Sequence, residues 1–106
     1  MKPEKSALLI GMAWLACITA SQAQDAQILR TRSLAATCGQ CHGTDGHAID
    51  AAAVPGLAGL PASYVVEQMN AFKSGARTAT VMHQIARGYS DAQIDQLARY
   101  FAAQPK

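Results

Sequence analysis

The segment Cys38-Gly39-Gln40-Cys41-His42 decides how this chain is interpreted. Two cysteines three positions apart on a helical turn lie on one side of it, so both thiols can reach one flat molecule. The C-x-x-C-H pattern is the attachment site of c-type haem, in which the thiols add to the porphyrin vinyl groups and the histidine binds iron. We therefore expect haem to be held covalently by Cys38 and Cys41, with His42 as one axial ligand.

Three other uses of this motif compete with haem attachment. A thioredoxin-like redox pair also has C-x-x-C spacing, but it belongs to a βαβ unit, and the sequence shows no strand pattern. A structural zinc site needs a fourth ligand, and adjacent residues such as Cys41 and His42 rarely reach one tetrahedral ion together. A plain disulfide would leave His42 without a role. Haem attachment uses all three side chains and is the interpretation we favour.

Composition limits the kind of protein further. The chain has 106 residues, enough for one domain. Half of its residues are hydrophobic and 15% are charged, which excludes a disordered charged tail. A formal net charge of +2 is too small to indicate a nucleic-acid-binding protein. A domain of this size usually needs a disulfide, a metal ion or a cofactor to stabilise its fold. The single C-x-x-C-H motif predicts one haem that fills the core.

The start of the chain has the three parts of a secretory signal. Lys2 and Lys5 supply positive charge, and an apolar block follows at residues 7–16. Ser21-Gln22-Ala23 then places small residues at the two positions that define a cleavage site. The apolar block is too short to span a membrane.

Cleavage after Ala23 divides the chain into a signal peptide at 1–23 and a haem-binding domain at 24–106. We expect a periplasmic protein with no membrane span after cleavage, because no long apolar run follows the signal. The alternatives are a retained N-terminal anchor and lipid attachment at Cys17, although Trp14 occupies a position where a lipoprotein signal normally has leucine.

Helical patterns, and no strand pattern, follow the signal. Four helices are predicted: the first spans about 27–37, the second begins near Pro61 and ends at Gly75, the third spans about 80–87, and the fourth begins after Ser90. The long loop at 43–60 between the first two helices is of a kind that usually serves a function or wraps around something. We therefore predict an all-α fold of three to five helices around one haem.

The fourth helix carries the clearest signals. Ser90 and Gln93 have the spacing of a capping box. Apolar residues then repeat at positions i, i+3, i+4 and i+7, namely Ile94, Leu97, Ala98 and Phe101.

A second axial ligand is needed if the iron is to be saturated. Met69 lies on an apolar helical stripe and suits the core, and His47 lies too near His42 to reach the opposite haem face. Met82 arrives from far downstream, which lets it cover that face, and we predict it as the ligand. The adjacent His83 is the alternative. Either pair saturates the iron, which suits one-electron transfer rather than oxygen chemistry.

Residues 34–46, around the haem motif, resemble the class I c-type cytochromes. Further segments resemble one branch of that class, the cytochrome subunit of flavocytochrome c sulfide dehydrogenase and its single-haem relatives; they are residues 56–61, 71–75, 77, 79–82 and 86–91. The resemblance implies that Met82 is the distal ligand. It also implies that the Pro55 carbonyl accepts a hydrogen bond from the His42 ring and thereby fixes its orientation.

The resemblance implies an electron carrier that is not itself an enzyme and that accepts electrons from an FAD-containing sulfide-oxidising protein. A free carrier that delivers electrons to an oxidase or a photosynthetic reaction centre is the alternative, and a haem sensor or peroxidase with open iron is a third. Three basic residues could rim an exposed haem edge and steer an acidic partner, or could be ordinary solvated charges: Lys73, Arg77 and Arg87.

Overall fold

The computed structural model describes the backbone of residues 4–49 and 53–106, with side chains from Thr19 onward. Within those ranges the chain is helical and contains no strand. Its elements are α1 (Glu4–His42), a single 3₁₀ turn (Thr44–Gly46), α2 (Ala62–Ser74), α3 (Met82–Arg87) and α4 (Asp91–Ala102). The predicted all-α class is confirmed.

The chain divides into two compact units, with the boundary between Arg30 and Thr31. The first is the N-terminal part of α1. The second holds the C-x-x-C-H motif, the remaining elements and the hydrophobic core. None of the described helices is apolar over a length that could cross a bilayer. The signal peptide at 1–23 stays a prediction, since Lys2 lies outside the described residues and the apolar block is described only as backbone.

The first predicted helix is wrong at both ends. The segment 27–37 lies inside α1, which continues through the haem motif to His42. No proline interrupts residues 4–42, and Gly39 within the helix costs only about 1 kcal/mol. The helix stops where Gly43 takes a φ of 85°. A Cβ atom on Gly43 would lie 1.9 Å from the carbonyl oxygen of His47, so only glycine permits this turn.

The boundaries of α2 follow from its flanking residues, as predicted. Pro61 precedes the first helical residue, where its fixed φ suits helix entry. Gly75 ends the helix in the left-handed conformation, with φ of 82°, and its N–H donates to the carbonyl of Phe72. The apolar stripe between them is buried, with Met69 and Phe72 in the core.

The capping box of α4 is present. The Ser90 hydroxyl accepts from the Gln93 backbone N–H at 3.2 Å, and the Gln93 side chain accepts from the Ser90 N–H at 2.9 Å. The four predicted apolar positions are all buried.

Two hydrophobic clusters share α4. The first cluster joins α2, α3 and α4, and its members are Val65, Met69, Phe72, Ala86, Ile94 and Ala98. The second cluster joins α1 to α4, and its members are Ala35, Leu97 and Phe101. Within the described residues the largest fully buried side chains are Phe101 and Ile94. The core that the described residues form is therefore small, which is the condition under which an apolar prosthetic group contributes most to stability.

We expect Gly43→Ala to destabilise the protein much more than Gly75→Ala. Both glycines have positive φ, so each substitution carries about 1–2 kcal/mol of backbone strain. Only the new methyl group at residue 43 meets backbone, because nothing lies within 4 Å of the corresponding point at Gly75. Denaturant unfolding of the haem-loaded variants, followed by circular dichroism, measures the difference. Equal losses of unfolding free energy would contradict this account of the turn.

Candidate haem-binding site

Both cysteines of the motif lie in the last turns of α1 as free thiols. Cys38 is half-buried and Cys41 is exposed. Burial raises the pKa of the Cys38 thiol, and a weak contact with the Thr37 hydroxyl opposes this only in part. A redox-active pair requires a cysteine with a lowered pKa. The setting of Cys38 therefore disfavours a thioredoxin-like pair.

The His42 ring has a fixed orientation. Its Nδ1 atom lies 2.6 Å from the carbonyl oxygen of Pro55. Since a carbonyl oxygen only accepts hydrogen bonds, Nδ1 carries the hydrogen, and Nε2 keeps the lone pair that can bind a metal. The contact that the family resemblance implied is thus present in the structure. It has the form of the outer hydrogen bonds that orient metal-binding histidines.

A folded-back loop brings Pro55 to His42. The carbonyl oxygen of Gly46 accepts hydrogen bonds from the backbone N–H of Leu57 at 2.8 Å and of Ala58 at 3.1 Å. Gly46 has a φ of 83°, and a Cβ atom there would lie 2.8 Å from the Ala58 nitrogen. The close approach of the two loop halves therefore depends on glycine.

Three further contacts fix the loop to the C-terminal part of the chain. The hydroxyl of Tyr100 donates to the Asp45 carboxylate at 2.5 Å, and this bond raises the pKa of the tyrosine. The Gly59 N–H donates to the Phe101 carbonyl at 2.8 Å. These bonds hold the beginning and the end of the loop against α4.

His47 makes the third contact. Its ring nitrogens lie 3.2 Å from the Thr44 carbonyl oxygen and 2.8 Å from the Pro105 carbonyl oxygen. The side chain is exposed, as expected for a loop residue, but it also links the loop to the chain beyond α4. The sequence contained no signal for this link, because the partners are backbone atoms that only the fold brings together.

Thr37 and Tyr89 connect the motif-bearing helix to the segment between α3 and α4. Their hydroxyl groups lie 2.8 Å apart. The Tyr89 carbonyl accepts from Lys73 Nζ at 2.9 Å, so one residue links α1, α2 and the α3–α4 junction. Tyr89 also packs against both hydrophobic clusters. Nothing in the sequence singled it out.

Met82 and His83 form the first turn of α3. That helix begins two residues later than predicted, at Met82. Met82 is half-buried and packs against the first cluster. Atom Nδ1 of His83 is shut off from solvent and has no hydrogen-bond partner among the described residues. Met69 is buried in the first cluster, in agreement with its predicted core role.

Two of the three candidate basic residues are committed to contacts within the chain. Lys73 pairs with Asp91 at 3.0 Å in addition to its bond to the Tyr89 carbonyl. Arg77 lies over the Phe72 ring, with 4.7 Å between the guanidinium carbon and the ring centroid. These contacts favour structural roles for both residues. Arg87 is exposed at the end of α3.

The described residues fit a covalently held haem. They provide two unpaired thiols beside an imidazole with an available Nε2, and a small apolar core that has one buried nitrogen without a partner. Within the part of the chain that the structure describes, no group of three His, Cys, Asp or Glu side chains converges on a point where a metal ion could bind.

The cytochrome c family model matches residues 30–104, and the chain belongs to that family. The family consists of electron carriers with covalently attached haem c. The predicted family and its class I fold are thereby confirmed.

Two relatives within this family are described by name. The thiosulfate dehydrogenase electron acceptor of Stutzerimonas stutzeri is 38% identical over 101 residues, which cover 92% of this chain and 47% of that protein. The cytochrome subunit of sulfide dehydrogenase of Chlorobaculum tepidum is 38% identical over 72 residues, which cover 68% of this chain and 64% of that protein. The chain thus spans less than two thirds of the length of these relatives.

A solved structure gives the same result for the fold. Acidithiobacillus ferrooxidans cytochrome c4 superposes with a TM-score of 0.58 and 38% sequence identity, over 62% of this chain and 37% of that chain.

We expect the double substitution Cys38→Ala/Cys41→Ala to abolish covalent haem attachment and most of the helical structure of the domain. The physical reason is that the remaining core is too small to fold alone. Haem that resists extraction by acidified acetone measures attachment, and far-ultraviolet circular dichroism measures helix content. Gln40→Ala, at the exposed position between the cysteines, is the matched control and should keep its haem. Native helix content in the colourless double variant would refute the prediction.

Proposed function

We propose that this protein is a periplasmic cytochrome with a single haem that transfers one electron at a time. In this proposal Cys38 and Cys41 hold the haem covalently, and His42 and Met82 are its axial ligands. The observation that carries the proposal is the 2.6 Å contact between His42 Nδ1 and the Pro55 carbonyl, which leaves Nε2 as the metal-binding nitrogen. Membership of the cytochrome c family supports it independently.

The bound haem iron supplies a reversible change between the ferrous and ferric states. The chain's own residues determine how that change proceeds. The Pro55 carbonyl holds the His42 imidazole in one tautomer, and the thioether of Met82 favours the ferrous state relative to a second imidazole. His42 and Met82 would together occupy the iron positions that oxygen or peroxide could otherwise reach, so we propose a carrier that is not by itself an enzyme.

The electron donor that we propose is an FAD-containing dehydrogenase that oxidises sulfide. The Chlorobaculum tepidum relative, named as the cytochrome subunit of a sulfide dehydrogenase, supports this assignment. The alternative is a free carrier, and the Stutzerimonas stutzeri relative, named as an electron acceptor of thiosulfate dehydrogenase, supports that role. Both names refer to the oxidation of an inorganic sulfur compound, and one calls the cytochrome a subunit whereas the other calls it an electron acceptor.

Gel filtration with a purified sulfide-oxidising flavoprotein separates the two roles. A subunit co-elutes with the flavoprotein in a fixed ratio and is reduced when sulfide is added. A free carrier elutes alone and is reduced by thiosulfate dehydrogenase with thiosulfate. Mass spectrometry of the exported protein tests its processing, and a mature N-terminus at Gln24 is the result expected from cleavage after Ala23.

We expect Met82→Ala to remove the long-wavelength absorption band of sulfur-ligated ferric haem and to let the ferrous protein bind carbon monoxide. Loss of the thioether should also lower the midpoint potential. Met69→Leu is the matched control, because Met69 is a methionine buried in the core, and a swap of similar volume there costs less than about 1.5 kcal/mol. Retention of the band in Met82→Ala, or its loss in Met69→Leu, would exclude Met82 as the ligand.

A further inference from the structure

His83 presents an unpaired polar atom to the interior. Among the described residues, its Nδ1 is the only buried side-chain nitrogen or oxygen without a hydrogen-bond partner. A buried polar atom that is left unpaired destabilises the folded protein. The ring is half-buried, so the unpaired nitrogen is the one that faces away from water. Such an atom indicates that a further group belongs beside it.

Haem is the group that the cytochrome fold adds to this chain, and its chemistry restricts what can meet His83. The body of the porphyrin is apolar, and its peripheral polar groups are two propionate carboxylates. A carboxylate accepts hydrogen bonds, and a ring nitrogen that carries hydrogen donates one. A hydrogen bond to a charged acceptor is also among the stronger ones, which suits a donor withdrawn from water.

Iron is the other partner to consider, and the helix geometry disfavours it. Successive residues of an α-helix point about 100° apart, so neighbouring side chains cannot address one point without unwinding the turn. Met82 and His83 are both in the regular helix α3. With Met82 as the axial ligand, the His83 ring is directed to a different part of the haem environment.

We propose that His83 donates a hydrogen bond from Nδ1 to a haem propionate and thereby positions the turn of α3 that carries Met82. This inference rests on the proposed function, because it requires haem attached at Cys38 and Cys41. A hydrogen bond donated to the propionate partly offsets its negative charge near the iron and so favours the ferrous state. His83 is thus a positioning residue that also contributes to the midpoint potential.

Two substitutions separate the hydrogen bond from the shape of the side chain. In His83→Asn the side-chain amide places an N–H close to the position of Nδ1, whereas His83→Leu keeps a similar bulk without a donor. We expect His83→Leu to lower the midpoint potential and His83→Asn to stay near the value of the unsubstituted protein. Gln84→Leu is the control, since that residue is the exposed next position of α3, and it should leave the potential unchanged.

Nuclear magnetic resonance gives a direct readout on the ferrous, haem-loaded protein. In protein labelled with ¹⁵N at histidine, we expect a slowly exchanging Nδ1 proton on His83 with a nuclear Overhauser effect to propionate methylene protons. A rapidly exchanging proton without that effect would overturn the proposal. So would equal shifts of the potential in the asparagine and leucine variants, since these would show that shape alone matters.

The ligand band provides a further distinction. We expect the sulfur–iron band to persist in His83→Leu, and its loss would overturn the positioning role in favour of a direct effect on ligation. Low-spin iron in Met82→Ala that becomes high-spin in the Met82→Ala/His83→Leu double variant would show that His83 binds iron, which also overturns the proposal. A colourless unsubstituted protein contradicts the proposed function itself, so the two failures are distinguishable.

Discussion

The hydrogen bond between the His42 ring and the Pro55 carbonyl requires several features of the surrounding structure. A helix must end directly after His42, the chain must reverse at Gly43, and the loop must return far enough to place a carbonyl at 2.6 Å from the ring. The two hydrogen bonds to the Gly46 carbonyl close that return. An imidazole with one nitrogen fixed in this way has a defined tautomer and direction before any metal is considered.

Much of the fold follows from local signals in the sequence. Pro61, Gly75 and the Ser90–Gln93 box set helix ends through backbone sterics and side-chain caps, which act over a few residues. The apolar spacing of α4 identified its buried face. The first helix was misjudged because apolar periodicity fades before the helix does, and the true stop is a steric requirement at Gly43 that depends on the distant fold of the loop.

The candidate site likewise has one part that the sequence predicts and another part that only the fold reveals. The motif at Cys38, Cys41 and His42 could be read from spacing, since its chemistry needs residues that are close in sequence. The contacts that orient it join residues far apart, such as Thr37 with Tyr89 and His47 with Pro105, and use hydroxyl or backbone groups that have no sequence signature. For Lys73 and Arg77 the sequence left two roles open, because a charge pattern cannot reveal contacts within the chain such as those with Asp91 and Phe72.

Tyr89 is held from three directions: its hydroxyl by α1, its carbonyl by the lysine of α2, and its ring by both apolar clusters. Tyr89 therefore connects α1, which carries the two cysteines, to α2 and to the segment that follows α3. An electron carrier changes its charge each time that it takes up or releases an electron. Contacts of this kind limit how far the surrounding helices can rearrange when that charge changes, and a smaller rearrangement lowers the barrier to electron transfer.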